Sequence, residues 1–182
     1  MIAAVTRLKQ QGTVERGTDS QPLAVGMSLH LNDTLRTQAD ARAEITFADG
    51  TVLTLGANAQ VVLDRFIYDP GATDAVLALS VVQGAFLFVT GKLSEVPHKD
   101  VSVTMPVATI GVRGTTFWGG ALDNPLDVLL LDGKIEVITP SGAVQLDQEG
   151  QGTIVKAPGL APTPPSFWPP AKKKRAFATV AF

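Results

Sequence analysis

His30 and His98 are the only imidazoles in this chain, and they lie far apart in it. Neither sits in the His-x-His or His-Glu-x-x-His spacing that puts two ligands on one face, so a histidine-rich zinc site within one chain is excluded. Each reads as a surface histidine. Cysteine is absent, which removes disulfides, cysteine zinc sites, iron–sulfur clusters and thiol nucleophiles together. The serines (Ser20, Ser28, Ser80, Ser94, Ser102, Ser141 and Ser166) lack the Gly-x-Ser-x-Gly elbow, and no Walker A or dinucleotide-binding glycine pattern exists. Glu44 and Glu136 would serve glycoside cleavage only if their strands stacked; matched places in two similar segments read more simply as solvated outward faces. Asp123, Asp127 and Asp132 lack the alternate-position spacing of a calcium loop. The chain therefore reads as a non-enzyme without metal or cofactor.

The segment Thr104-Met105-Pro106-Val107-Ala108-Thr109-Ile110-Gly111-Val112-Arg113-Gly114-Thr115-Thr116-Phe117-Trp118 carries the densest signature. A strand entering through Val107–Ile110 meets Gly111 and Gly114, which permit tight turning or close backbone approach, and resumes at Thr115. Gly111, Arg113, Gly114, Phe117 and Trp118 are thus a candidate structural or interaction loop. Arg113 has two readings: its guanidinium fork ties loop carbonyls or a carboxylate of this chain together, or it meets a partner's carboxylate. A Gly-x-x-Gly step also clamps RNA backbones, but only between helices, and none is expected here.

The surrounding elements read as strands. Arg42–Phe47 and Lys134–Ile138 alternate with period two and are rich in β-branched residues. Asp49-Gly50, Asp132-Gly133 and Ser141-Gly142 fall where a residue at positive φ closes a hairpin, so each predicts a reversal. Ile2, Val5 and Leu8 show weak helical spacing that an extended reading also fits. Ala43–Val52 aligns without a gap with Ile135–Val144, and a polar-Gly pair followed by alternating apolar positions recurs at Gln11-Gly12, Gln83-Gly84 and Asp132-Gly133. Repeated strand–turn units bury their apolar faces by stacking or closing on one another. The expected fold is all-β, a short β-helix-like or rolled β-sandwich domain, with very little helix.

At 182 residues, 45% apolar and 18% charged, the chain has material for one core plus an extension. A net charge of −2 offers no basic field for nucleic acid. The longest apolar runs, such as Ala75–Val82, are strand-sized, and no transmembrane span is expected. The opening Met1–Val5 shows no secretory signal, so an exported protein would have lost one. Six of the 12 prolines fall between Ala157 and Pro170. The predicted division is a β-domain over 1–156 and a Pro-rich arm over 157–182. The arm holds Phe167, Trp168, the basic run Lys172, Lys173, Lys174 and Arg175, and then Ala176–Phe182, which alternates as one more strand would.

The 104–118 segment, with Gly26–Leu29, Asp33-Thr34-Leu35-Arg36-Thr37, Ala41–Ala43, Asp49-Gly50-Thr51 and Leu53–Gly56, resembles the FecR-type periplasmic domain. The resemblance runs from about Gly12 to Trp118 and more loosely to Val155. It implies an exported β-rich interaction domain of the periplasm or cell envelope; the cytoplasmic helix bundle and transmembrane helix of the family's signalling members are not found in the sequence. The expected function is a protein-interaction module with envelope protein partners, either a structural subunit of a multi-subunit assembly or a signal-relay sensor. The alternative is a glycan- or peptidoglycan-binding module, which would need Trp118, Trp168 and Tyr68 as platforms. For the arm, the expectations are docking on a neighbouring subunit through Phe167, Trp168, the basic run, Phe177 and Phe182, or folding back on its own domain as an edge strand, or disorder.

Overall fold

The computed structural model describes residues 1–182. In chain order the strands are β1 (Ala3–Lys9), β2 (Gly12–Arg16), β3 (Asp19–Pro22), β4 (Ser28–Leu29), β5 (Thr34–Thr37), β6 (Arg42–Phe47), β7 (Val52–Leu55) and β8 (Gln60–Ile67). They continue as β9 (Asp74–Gln83), β10 (Phe86–Val89), β11 (His98–Thr104), β12 (Thr109–Gly120), β13 (Leu126–Thr139), β14 (Gly142–Leu146), β15 (Gln151–Val155) and β16 (Ser166–Phe167). A 3-10 turn spans Lys92–Glu95, and one helix, α1, spans Pro170–Ala178. Strand accounts for 54% of residues and helix for 7%. The fold is all-β, a curled open half-barrel.

Two walls share one ribbon. The first runs β3-β2-β5-β8-β9-β11, the second β4-β1-β6-β7-β10, and both join β12. The start of β12 pairs with β11 (Thr109–Gly111), its end with β10 (Thr116–Gly119), and β13 runs along its other edge. β13 divides in the same way, joining β15 through Leu126–Leu129 and β14 through Ile135–Thr139. Every pairing is antiparallel except β9 with β11. Strands that pass from one layer to the next do so by bulging or bending.

Period-two burial fixes which face looks inward. Val14, Leu35, Val61, Leu63, Leu77, Leu79 and Val103 of the first wall form one core with Val5, Ile45, Leu53, Leu55, Phe86, Phe88 and Phe117 of the second. β1 settles the weak Ile2/Val5/Leu8 pattern as extended chain, with Val5 buried opposite Ile45. The aligned segments Ala43–Val52 and Ile135–Val144 are both hairpins, β6–β7 and β13–β14. They are not stacked as repeats: β6 lies in the second wall and this part of β13 in the first.

The expected strand over Ala176–Phe182 is corrected, because α1 occupies its first turns. Pro170 stands at the helix start, where its fixed φ suits the first turn and its missing N–H costs nothing. Lys172, Lys173, Lys174, Arg175 and Ala176 are strong helix formers. Trp168, Ala176 and Val180 pack with Trp118 and Leu129 in a second, smaller core on the outer face of the second wall. β16 also adds two residues to the edge of β15. The arm thus follows the folded-back alternative.

Candidate functional site

The Gly111–Gly114 step makes no turn. β12 continues through it as one strand, and the register between β12 and β13 slips between Arg113 and Thr116. Gly114 takes φ +57° and Gly133, across the ribbon, φ +83°. Asp132-Gly133, expected as a reversal, is likewise a bulge inside β13. A Cβ on Gly133 would fall on the Gly114 carbonyl oxygen, with Thr115 Cα at 2.9 Å and the Gly114 carbonyl carbon at 3.0 Å. Two glycines let the strands touch where both bend from one wall into the other.

Thr115, buried at the bend, holds it. Its Oγ1 donates to the Lys134 carbonyl (2.6 Å), and its N–H donates to Thr90 Oγ1 (3.0 Å). The Thr90 N–H and hydroxyl in turn donate to the Thr115 carbonyl at 3.0 and 2.9 Å.

Other residues of the resemblance pin loops around this frame. The Asp49 carboxylate accepts from the Thr51 hydroxyl (2.6 Å), the Thr51 N–H (3.1 Å) and the Leu93 N–H (3.1 Å), which ties the β6–β7 hairpin to the 3-10 turn. Thr37 Oγ1 donates to the Gly56 carbonyl and accepts from the Ala59 N–H. Burial would raise the Asp33 carboxyl, but the Arg16 fork at 2.8 and 2.7 Å and the His30 N–H outweigh it and hold it below the usual range.

Where β11 and β12 part at the bend, an open groove of about 870 Å³ forms on the outer face of the first wall. Asp74, His98, Lys99 and Asp100 line one side; Gly111, Arg113 and Glu136 line the other. The Arg113 side chain is exposed and makes no hydrogen bond or ion pair within the chain. The crosslinking reading of this arginine is thereby corrected: Arg113 lies inside strand β12, opposite Lys134, and not in the tight loop whose carbonyls it was expected to tie. Phe117 and Trp118 are not at the surface. Phe117 sits in the main core, edge-on to Phe86 at 5.6 Å, and Trp118 points the opposite way, fully buried under the arm.

The outer face of the second wall is closed by 157–182. The Trp118 indole donates to Thr179 Oγ1 (3.0 Å) and meets Trp168 edge-on at 6.1 Å. Trp168 fits a slot that Gly152 leaves open, since a Cβ there would lie 2.5 Å from Trp168 Cε2 and 2.7 Å from Cδ1. Lys172 donates to the fully buried Asp127 at 2.8 Å and lies 4.2 Å from the Trp168 ring centre. Burial would raise the Asp127 carboxyl; Lys172, the Asn124 side chain and the N–H groups of Leu122 and Asp123 hold it lower instead. Arg175 forks onto Asp123 (2.9 and 2.8 Å), Arg42 donates to the carbonyls of Ala178 and Ala181, and Arg7 covers the Phe182 ring.

Of the candidate docking residues, Phe167, Lys174, Arg175 and Phe177 are left exposed, Arg175 with its fork on Asp123, and Lys172, Lys173 and Phe182 are half-buried. Docking of Trp168 on a neighbouring subunit is corrected, because its ring is already filled against this chain. Sequence reasoning missed Asp127, Gly152 and Arg42. The recurrence of Trp168, Lys172, Ala176 and Val180 every fourth residue was the signal that would have found the helical face.

A family model described as FecR protein matches residues 33–136, which take in both the bend up to Glu136 and the loops that frame it. The chain belongs to the FecR family. Two crystal structures of a candidate anti-sigma factor from Parabacteroides distasonis share the FecR chain's fold, with TM-scores of 0.56 and 0.57 at 19% identity. The likeness covers 78% of this chain and 62% of theirs, so the chain spans less than two thirds of those proteins. Comparison with curated proteins finds no match. The FecR family is regulatory and non-enzymatic, and its domains are generally periplasmic parts of membrane signalling proteins. No helix in this FecR chain is long and apolar enough to cross a membrane.

Proposed function

We propose that this FecR domain is a non-enzymatic protein-interaction module of the bacterial periplasm or cell envelope, acting as a signal-relay sensor that receives a protein partner on the outer face of its first wall. One observation carries the reading. The two walls differ in cover: the arm closes the second, whereas the first keeps an open groove and an unpaired arginine at a bend inside the family-matched residues. Exposed polar concavities framed by rigid strands suit recognition better than chemistry; Ser94 and His98 both line the groove, but the Ser94 hydroxyl donates to the Gly91 carbonyl and not to the imidazole.

The envelope-assembly form of this reading uses the same face and differs in whether the partner stays bound. The glycan-binding alternative loses its platforms, since Trp118 and Trp168 are buried and Tyr68 packs against the core. We likewise propose that 1–156 and 157–182 form one folding unit rather than a domain with a free arm. Pull-down of the whole chain from the native envelope, read by mass spectrometry, is expected to recover one protein partner in fixed proportion. Retention of saccharide without protein contradicts the reading.

A further inference from the structure

We infer that Arg113 and Lys134 form a two-pronged clamp for a carboxylate on an extended protein segment lying in the first-wall groove. This rests on the protein-interaction reading above and adds the chemistry by which the partner is recognised. The two residues face each other directly across β12 and β13, both exposed. Like charges directly opposite across a strand pair are destabilising. Neither cation is relieved by an acid of this chain. Continuing the Ser102–Gly111 register would set Asp100 opposite Arg113, but the pairing of β11 with β12 stops at that pair. The bend therefore separates Arg113 from Asp100, while its direct partner across the ribbon is a second cation and Glu136, opposite Gly111, stands only diagonally and makes no ion pair with it.

The backbone beneath the pair is held rigid. Thr115 Oγ1 bonds both the carbonyl and, at 3.3 Å, the N–H of Lys134, and the Gly114–Gly133 contact fixes the adjoining bulge. Next to the cations the floor is Gly111, above which there is open space, so a partner backbone can approach closely. Asp74, Asp100 and Glu136 also line the groove. The segment that fits is thus mixed in charge, with its acidic side chain at the Arg113–Lys134 end and a basic or amide group toward Asp74 and Asp100. A planar guanidinium beside an ammonium presents donors to both oxygens of one carboxylate.

The probe is a positional-scanning library of acetylated, amidated decapeptides screened on the immobilised whole chain. The clamp requires one position enriched in Asp or Glu by about tenfold. That preference disappears in Arg113→Gln/Lys134→Gln and turns to Lys or Arg in Arg113→Glu/Lys134→Glu. Lys134→Glu alone, by replacing repulsion with a cross-strand ion pair, raises the melting temperature by about 1–3 °C while losing the acidic preference. The clamp is overturned if the acidic preference survives neutralisation, if no position is enriched, if Lys134→Glu lowers the melting temperature, or if phosphatidylglycerol vesicles or muropeptides are retained in place of peptides. A protein partner recovered from the envelope without any acidic preference sinks the clamp and leaves the interaction reading standing; no protein partner at all sinks that reading itself.

Discussion

Gly133→Ala is expected to lower the stability of the domain by about 3 kcal/mol or more, whereas Gly114→Ala costs only about 1–2 kcal/mol. Both glycines hold positive φ, so an L side chain is strained at either. They differ in space. Around Gly114 a Cβ meets only Ser94 Cβ at 3.6 Å, an ordinary contact, so the backbone conformation is the whole cost. At Gly133 the added methyl falls on backbone atoms of Gly114 and Thr115, which cannot rotate aside as a side chain would. Relief requires the two strands to separate at the bend, which breaks the Thr115 bonds and loosens the join between the walls. Urea unfolding followed by tryptophan fluorescence measures both variants. Equal losses would mean that the bend is not a close contact between strands.

Trp168→Ala is expected to cost about 3–5 kcal/mol, and truncation after Lys156 at least as much. The indole fills the Gly152 slot and packs with Trp118, Leu129, Ala176 and Val180, so its loss leaves a cavity in the smaller core. Truncation goes further. It uncovers Trp118 and Leu129, both fully buried in the intact chain, and removes the Lys172 ammonium that pairs with the Asp127 carboxylate at 2.8 Å. The docking expectation for the arm predicts the opposite, a truncation that leaves the melting temperature nearly unchanged, whereas the folding-back expectation agrees with a loss. Equilibrium unfolding of the truncated chain beside the full chain decides the matter: unchanged stability would detach the arm from the domain.

That reversal marks where local pattern stops informing. Arg42–Phe47 and Lys134–Ile138 were legible as strands because burial on one face imposes period two, and Asp49-Gly50 was legible as a turn because Gly50 takes φ +86°. Ser141-Gly142 also lies at a reversal, though Gly142 does not hold positive φ there. Asp132-Gly133 has the same local chemistry as Asp49-Gly50 and yet sits inside a 14-residue strand. A glycine at positive φ serves a turn or a bulge equally well, and only the partner strand decides between them. Arg113 was found by its place between two glycines, but its lack of a partner depends on a divergence of β11 from β12 that no window of sequence contains. The arm was misread for a different cause. Prolines before Pro170 argue for extended chain, and the helical face after it is spaced every fourth residue with a lysine at one of those places, so its apolar period is weak.

The account turns on which face of the rolled sheet meets a partner. A photo-activatable residue placed at position 98, on the rim of the groove and outside the Arg113–Lys134 pair, and separately at 177 on the exposed side of α1, tests this in cells of the source organism by the protein captured at each site. The account predicts one protein adduct from position 98, abolished when Arg113 and Lys134 are also changed to glutamate, and none above background from 177. Capture of the same protein from 177 but not from 98 would place the interface on the arm and contradict it.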